Sequence, residues 1–276
     1  MSNLSVINIT KNFRRKSALK NISCNFSNGI TALLGPNGAG KSTLMYIIST
    51  LIDADCGTIQ YSNCDIKKLK EKYLGKVSVL FQDQPMYKNY TAYEYLYFCG
   101  MLKNMSKKDI NEQAEYFLQY FGIYENRNKK ISTFSGGMRQ RLALCGVFLG
   151  APEIILLDEP SVGLDIYERE ELKNLLCRLK NSAIIIISTH IVSDIENISD
   201  NIIIINNGEI RAIGTQNELI DKFQNMIWEI PNNKNMLPHV KTYTFNGKMF
   251  GISEVKPHID AQPKEAELTD VYFGFL

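Results

Sequence analysis

A glycine-rich stretch ending in lysine, serine and threonine has the residue types needed to hold a phosphate group. It follows the apolar run 30–34, precedes a helical pattern, and reads Gly35, Pro36, Asn37, Gly38, Ala39, Gly40, Lys41, Ser42 and Thr43. Glycine permits backbone conformations that turn N–H groups toward an anion, and the positive end of the following helix dipole faces the same point. The lysine adds charge for the outer phosphates, and the Ser42 hydroxyl can ligate Mg²⁺. The stretch therefore predicts a nucleoside triphosphate site.

Two apolar runs end in side chains that could act on a bound triphosphate. Residues 154–157 lead into Asp158 and Glu159, and residues 183–189 lead into His190. Four consecutive apolar residues suit a parallel strand that is covered on both faces. Because ligand chemistry collects at the carboxyl ends of such strands, we expect Asp158 to hold Mg²⁺ and Glu159 to polarise an attacking water as general base.

A third strand end and a second small-residue turn complete this set. Gln82 ends another apolar run, and its amide could contact Mg²⁺ or water. The segment 134–141 opens a long helical pattern, so Ser135, Gly136 and Gly137 would present a second group of helix N-terminal N–H groups to a phosphate. One triphosphate does not need two such cradles in one chain. We therefore expect a head-to-tail pair of chains, each closing the nucleotide site of the other.

These segments, in this order and at this spacing, resemble the nucleotide-binding subunit of an ATP-binding cassette (ABC) transporter over roughly residues 1–222. The resemblance assigns the motifs of that family to residues 35–42 (Walker A loop), Gln82 (Q-loop), 135–138 (signature), 154–158 (Walker B strand), Glu159 (catalytic glutamate), 161–165 (D-loop), His190 (switch histidine) and Phe13 (the aromatic ring that stacks on adenine).

Two residues of the signature depart from the common pattern of the family. Phe134 stands where leucine is commoner, and Met138 replaces the usual glutamine. The backbone donors and Ser135 are kept, so we expect the contact with the γ-phosphate to survive. The two variants and the acidic and aromatic segment 265–272 resemble the type-2 exporters, which include drug, bacteriocin-immunity and polysaccharide exporters.

The resemblance implies an α/β fold. Its P-loop NTPase core would combine a mostly parallel sheet with helices and an N-terminal antiparallel β part. The ATPase domain would cover residues 1–222, with the catalytic core in 1–84 and 150–222 and an inserted helical subdomain in 85–149. Residues 223–276 would form a small C-terminal α+β domain.

The resemblance also implies an ATPase subunit that drives an exporter through a separate transmembrane permease, with ATP and Mg²⁺ bound. His190 would hold the γ-phosphate and Glu159 in register, while Gln82 would report phosphate occupancy to the permease. Asp165 would link the two sites across a homodimer or a pair with another ATPase subunit. The expected metal ligands are Ser42, Gln82 and Asp158. The subunit would lie at the cytoplasmic face of the cell membrane.

The composition favours neither a nucleic-acid partner nor a membrane-spanning chain. Over 276 residues, 31 Lys+Arg against 29 Asp+Glu give a formal net charge of +2, which indicates no polyanion partner. No apolar run approaches the roughly 18–20 residues needed to cross a bilayer, and the N-terminus lacks the pattern of a signal peptide. The cysteines are scattered without metal or redox spacing, which predicts reduced thiols.

The C-terminal region has the alternation and turn residues of a small β structure. The dipeptide Asn246-Gly247 is typical of a hairpin turn. The expected elements are strands at 226–230, 241–245 and 248–255, a loop at 257–264 and a helix at 266–276.

A cluster of aromatic residues follows Gln82, and two interpretations of it remain open. The rings could form the core of the helical subdomain, or they could line a groove that receives a short cytoplasmic helix of a membrane partner. Under the second interpretation, we expect Tyr87 and Tyr90 to line the groove. Tyr93 and Tyr97, one helical turn apart, would then be buried.

Two other functions remain as alternatives. A soluble ABC ATPase acting on ribosomes, DNA ends or iron–sulfur assembly would share these motifs, but the chain lacks a second cassette and long heptad insertions. A module that senses ATP without hydrolysing it conflicts with the presence of both Glu159 and His190.

Overall fold

The structure is a computed structural model that describes residues 3–14, 16–82, 84–231 and 240–276. The strands are β1 (Asn3–Phe13), β2 (Lys16–Ser27), β3 (Gly29–Leu34), β4 (Cys56–Tyr61), β5 (Cys64–Asp65), β6 (Val77–Leu80), β7 (Ile154–Asp158), β8 (Ile184–Thr189), β9 (Asn201–Asn206), β10 (Glu209–Gly214), β11 (Ile227–Ile230), β12 (Lys241–Phe245), β13 (Lys248–Ile252) and β14 (Gln262–Lys264). The helices are α1 (Lys41–Ile48), α2 (Ile66–Leu69), α3 (Glu71–Leu74), α4 (Ala92–Leu102), α5 (Lys107–Tyr120), α6 (Gly136–Phe148), α7 (Ile166–Leu179), α8 (Gln216–Asp221) and α9 (Leu268–Phe275).

A mostly parallel sheet forms the centre of the molecule. Its strand order is β10-β9-β3-β8-β7-β6, and only β10 among these runs antiparallel to its neighbour. The register places Leu34 beside Thr189 and Ile204, and Asp158 beside Ser188. The carboxyl ends of β3, β7 and β8 therefore meet at one edge of the sheet, which is where the candidate site residues follow in sequence.

An antiparallel sheet in the order β2-β1-β4-β5 covers one face of the central sheet. Alternate residues of its strands point inward, and α1 lies in the same layer. The shared core comprises Leu4, Val6, Ile9, Ile22, Phe26, Leu44, Met45, Ile48, Leu33, Leu156, Ile186 and Ile203. The predicted antiparallel N-terminal part is confirmed, and it places β2 close to the loop that follows β3.

The other face of the central sheet is covered by α4 to α8. Alternate residues of the same strands, such as Ala32, Leu157 and Ile187, face this second core. Two of these helices begin after residues that favour N-caps: the hydroxyls of Thr91 and Ser106 accept hydrogen bonds from backbone N–H groups of the first turns of α4 and α5.

The C-terminal region forms an antiparallel sheet in the order β12-β13-β11-β14, together with α9. The three predicted strands and the terminal helix are confirmed. The prediction that 257–264 is entirely a loop is wrong, because Gln262–Lys264 pairs with the free edge of β11. A strand of this length is stabilised by its neighbour and carries too little sequence pattern to be recognised alone.

The C-terminal region shares its core with the central sheet. Ile227, Phe250, Leu268 and Val271 are buried in the same cluster as Ile204 of β9. The expected domain boundary at residue 222 falls between α8 and β11, and the division of the chain into domains stays a prediction.

The aromatic cluster differs from its prediction in two respects. Tyr87 and Tyr90 are exposed and stack on each other, with 5.0 Å between ring centroids, but only Tyr90 of the two is among the residues that line the groove. Tyr93 and Tyr97 are only half-buried, and both line an open groove together with Tyr90. The prediction that they are buried is wrong. The inward face of α4 carries Tyr95 and Leu96 instead, so Tyr93 and Tyr97 lie at the side of the helix.

None of the helices in the described ranges has the length and apolar character that crossing a bilayer requires.

Candidate nucleotide site

The glycine-rich loop joins β3 to α1 at the carboxyl edge of the central sheet. Gly38 and Gly40 have φ angles of 78° and 111°, in the left-handed region that favours glycine. A Cβ on Gly35 would lie 2.1 Å from the carbonyl oxygen of Ile205, so the loop can approach β9 this closely only with glycine there. The positions of these glycines are therefore required by the path of the backbone.

Lys41 is the first residue of α1, and its side chain folds back into the loop. Its Nζ donates hydrogen bonds to the carbonyl oxygens of Gly35 at 2.6 Å and Pro36 at 3.2 Å. Burial lowers the pKa of Lys41. The negative charges of Glu159 and Asp158 act in the opposite direction but do not outweigh burial. Phosphate oxygens would offer this ammonium charged acceptors, which form stronger hydrogen bonds than backbone carbonyls do.

Asp158 ends β7 with a carboxylate that is adapted to a cation. The residue is 1% exposed, and neither of its carboxylate oxygens has a hydrogen-bond partner among the described residues. A buried carboxylate without donors is costly unless a cation compensates it. Oxygen ligands, with further positions filled by substrate phosphates, suit Mg²⁺. The residues of this edge therefore fit a magnesium ion beside Lys41.

Glu159 is held through both of its carboxylate oxygens. Oε1 lies 2.7 Å from Nδ1 of His190, and Oε2 accepts a hydrogen bond from the Thr189 hydroxyl at 3.2 Å. The glutamate is 5% exposed and has a φ angle of 49°, which is uncommon for a residue with a side chain. Its N–H donates to the carbonyl of Ser188. The turn after β7 is therefore bonded to the end of β8, which aims Glu159 at His190.

An open cleft of about 350 Å³ lies along the loop. It is lined by Phe13, Lys16, Ala18, Asn37, Gly38, Gly40, Lys41, Ser42, Thr43, Gln82 and Glu159. Phe13 is 48% exposed, and the Nζ of Lys11 lies 5.5 Å from the centre of its ring. The structure thus brings together the predicted residues of the loop, the adenine position, the Q-loop and the catalytic glutamate.

The signature turn does not line this cleft. Ser135 caps α6 by accepting a hydrogen bond from the N–H of Met138 at 3.2 Å. Gly136 lies in a separate cleft with Arg139 and Gly163, and a Cβ on Gly137 would lie 2.6 Å from the Gly163 carbonyl oxygen. The second cradle predicted from the sequence therefore lines a different cleft from the loop of its own chain.

Asp165 has a clear local function in this chain. Its Oδ1 accepts the N–H of Glu168 at 2.8 Å, and Oε2 of Glu168 accepts the N–H of Asp165 at 3.0 Å. This capping box starts α7. Arg141 also contacts Glu168 at 3.0 Å, which connects the signature helix to the segment that carries Asp165.

Two residues near the site were missed by the sequence reasoning. Lys16, at the start of β2, lines the cleft, and its Nζ lies 3.6 Å from where a Cβ on Gly38 would be. Thr189 has a hydroxyl that contacts Glu159. The sequence signal for Thr189 is its position directly before His190 at the end of a strand. Lys16 gives no such signal, since only the folding of β2 brings it to the loop.

The order of strands in the central sheet, the glycine loop between β3 and α1, and the acidic end of β7 together define a P-loop nucleoside triphosphatase. The family model described as "ABC transporter" matches residues 19–162. The chain belongs to this family.

Two curated relatives come from Bacillus subtilis (strain 168). The chain is 34% identical to the "Uncharacterized ABC transporter ATP-binding protein YxlF", over 98% of this chain and 88% of the relative. It is 35% identical to the "Linearmycin resistance ATP-binding protein LnrL", over 79% of this chain and 71% of the relative.

A solved structure supports the same assignment. The post-hydrolysis dimer of the ATP-binding cassette MJ0796, bound to ADP and Pi, superposes with a TM-score of 0.71 and 26% identity, covering 77% of this chain and 98% of that one.

These comparisons confirm the predicted family, the P-loop NTPase fold and the ATPase activity. The chain is an ATP-binding subunit of an ABC transporter, which is consistent with ATP-driven export through a separate transmembrane component. Proteins of this family act with transmembrane subunits, and the solved neighbour is a dimer.

Proposed function

We propose that two copies of this chain bind ATP and Mg²⁺ between them and drive an exporter through a separate transmembrane permease at the cytoplasmic face of the membrane. The observation that carries this proposal is the separation of the two phosphate-binding features. The loop cleft is lined by Lys41 and Ser42, whereas Gly136 of the signature turn lines a separate cleft. A head-to-tail pair would bring the loop of one copy to the turn of the other.

In the closed pair, the chain's own residues would prepare a water molecule for attack on the γ-phosphate. Glu159 accepts a proton from this water, since its carboxylate is directed by His190 and Thr189. Lys41 exchanges its carbonyl partners for phosphate oxygens, and Phe13 stacks on the adenine. The N–H groups at Ser135, Gly136 and Gly137 of the other copy complete the phosphate contacts.

Mg²⁺ would be held by Asp158 and by the Ser42 hydroxyl, with the amide oxygen of Gln82 as a further ligand. It would neutralise charge that develops on the phosphate oxygens during transfer. Asp158 is suited to this ligation because its buried carboxylate oxygens lack partners in the described part of the chain.

The groove beside α4 is the proposed contact surface for the permease. Tyr90, Tyr93 and Tyr97 line it together with Met101. Rings with polar tips suit an interface that is apolar at its centre and wet at its rim. The residues that line the groove follow Gln82 in sequence, and in this proposal Gln82 reports phosphate occupancy to the permease through that segment. Alanine at Tyr90 should reduce permease-stimulated ATPase activity and leave basal activity intact.

The Glu159→Gln variant tests the hydrolytic part of this proposal. It should bind ATP, form a stable dimer and hydrolyse ATP about 10²–10⁴-fold more slowly, because a general base contributes a factor of that size. Gel filtration with light scattering measures the dimer, and phosphate release measures turnover. Near wild-type turnover would place the base elsewhere.

The same variant, trapped with ATP in native membranes and then solubilised, tests the transport part. Stoichiometric co-purification of a multi-pass membrane protein is the expected result. Recovery of soluble partners or ribosomes alone would contradict the exporter assignment and leave the ATPase mechanism intact.

A further inference from the structure

The strand β2 is held against the phosphate-binding loop. The N–H of Lys20 donates to the carbonyl oxygen of Gly208 at 2.8 Å, and the N–H of Gly208 donates to the carbonyl oxygen of Ala39 in the loop at 2.9 Å. A Cβ on Gly40 would lie 2.6 Å from the carbonyl oxygen of Ala18. The backbone of β2 therefore lies directly beside the loop, and its position there is fixed by hydrogen bonds and by close contact.

The start of β2 places a lysine in the nucleotide cleft. Lys16 and Ala18 both line the cleft, and residues two apart on a strand face the same side. Nζ of Lys16 lies 3.6 Å from where a Cβ on Gly38 would be. Lys16 therefore lies beside the middle of the loop, whereas the ammonium of Lys41 bonds to carbonyl oxygens at the start of the loop.

The hairpin of β1 and β2 also makes Lys16 a neighbour of the proposed adenine position. Phe13, the last residue of β1, pairs with Lys16. The end of β1 is anchored by Asp55, whose carboxylate accepts the N–H of Asn12 at 2.7 Å and the ammonium of Lys11 at 2.9 Å. Lys16 is therefore held next to both the aromatic ring and the phosphate loop.

The ammonium of Lys16 has no partner among the described residues. Its side chain makes no hydrogen bond or ion pair within those ranges, whereas Lys11 pairs with Asp55 and Lys20 pairs with Glu209. Phosphate oxygens are charged acceptors, which form strong hydrogen bonds with an ammonium group. The one unpaired lysine of these three is thus the one that lines the cleft.

We propose that Lys16 is a second cationic contact, beside Lys41, for the phosphate chain of the bound nucleotide. These two are the positively charged residues among the described residues that line the cleft. Because Lys16 neighbours the adenine position, it contacts the phosphates nearest the nucleoside, which ADP and ATP share. This inference rests on the proposed function, which places the nucleotide between Phe13 and Lys41.

The test measures ADP binding to the full-length chain by isothermal titration calorimetry with Mg²⁺ present. Lys16→Met removes the charge and Lys16→Arg keeps it, while Lys20→Met is a matched control on the same strand outside the cleft. Lys16→Met should raise the Kd for ADP about three- to tenfold, the effect of one charged hydrogen bond at an exposed position. Lys16→Arg should bind like the wild type. Lys20→Met should do so too, since Glu209 keeps its contact with Arg211.

Salt separates an electrostatic contact from a structural effect. Raising the NaCl concentration from about 0.05 M to about 1 M should shrink the difference in Kd between the wild type and Lys16→Met, because salt screens exposed charges. Thermal unfolding without nucleotide shows that each variant is folded at the assay temperature. Wild-type affinity in Lys16→Met, an equal loss in Lys16→Arg or Lys20→Met, or a difference that persists at high salt would overturn the inference.

Lys41→Met, titrated in parallel, distinguishes failure of this inference from failure of the proposed function. If Lys41→Met loses ADP binding while Lys16→Met binds like the wild type, the inference fails and the proposed function stands. If Lys41→Met binds ADP like the wild type, the proposed nucleotide site itself fails.

Discussion

At the scale of single residues, the site depends on how the Glu159 carboxylate is held. His190 contacts one oxygen and the Thr189 hydroxyl donates to the other. The same hydroxyl accepts the N–H of Ile191 at 3.0 Å, which orients its proton toward Glu159. Thr189 is completely buried, so water cannot replace this donor. The orientation of the glutamate is therefore fixed by the residue before the switch histidine as well as by the histidine itself.

This geometry predicts different outcomes for two substitutions of Thr189. Valine has nearly the same shape but no hydroxyl, so Thr189→Val should lower kcat about two- to tenfold through loss of one hydrogen bond. Serine keeps the donor, so Thr189→Ser should stay close to the wild type. Steady-state ATPase assays of the two variants provide the measurement. Equal activities would show that the hydroxyl has no part in orienting Glu159.

At the scale of elements, the signature helix α6 is capped at both ends. Ser135 caps its N-terminus. At the other end, Nζ of Lys103 donates hydrogen bonds to the carbonyl oxygens of Gly146, Val147 and Leu149 at 2.6–3.1 Å. The Ser78 hydroxyl on β6 also lies 2.8 Å from Nζ and shares in these hydrogen bonds. A cation at a helix C-terminus interacts favourably with the helix dipole, and this one also connects α6 to the strand that leads to Gln82.

The pKa of Lys103 makes this connection testable. Burial lowers its pKa from 10.5 to about 8. Between these two values the unfolded chain retains the proton and the folded chain has lost it, so the stability contributed by Lys103 rises with pH. Below pH 8 both states are protonated and the contribution is constant.

Urea unfolding gives the free energy of unfolding of the wild type and of Lys103→Met at each pH. The value for the wild type, relative to that for the variant, should therefore rise between about pH 8 and 10. The variant serves as the control, since it retains the titration of the other lysines and tyrosines. A difference that does not change with pH would contradict the burial of a charged Lys103.

At the scale of the whole molecule, the central question is which surfaces meet when ATP binds. The loop cleft and the signature cleft share Gln82 as a lining residue, but Lys41 lines only the first and Gly136 only the second. Exposed apolar residues, including Val162, Ile166 and Tyr167, follow the Walker B strand near the signature. Exposed apolar residues so close in sequence suit a surface that becomes covered in the proposed pair.

Complementation between two inactive variants tests the head-to-tail pair. Lys41→Met removes the loop function and Ser135→Arg blocks the signature turn, so each variant alone should lack ATPase activity. In a mixed pair, one site combines an intact loop from one chain with an intact turn from the other. With random pairing, the mixture should recover about a quarter of wild-type activity, since half of the pairs are mixed and one of their two sites is complete. No recovery would contradict the shared site.

The sequence determined the parts of this protein that depend on neighbouring residues. Residues 35–43 form a phosphate loop because three glycines, a lysine and a serine act within one turn of the chain. The apolar runs before Asp158 and His190 predicted buried strands, and their parallel order placed both residues at one edge. Thr91 and Ser106 are residue types that cap helices, and α4 and α5 begin directly after them. These are short-range effects, so the sequence pattern was sufficient to predict them.

Only the tertiary structure decided which distant residues meet. Lys16 reaches the loop because β2 lies beside it, and Thr189 contacts Glu159 because β7 and β8 are adjacent. Gln262–Lys264 is a strand because β11 offers it a free edge. Helix α9 contacts the 3₁₀ turn Val192–Asp194 because it returns to the central sheet. The physical reason is the same in each case: packing and strand pairing between remote segments depend on the whole fold, and local sequence does not encode them.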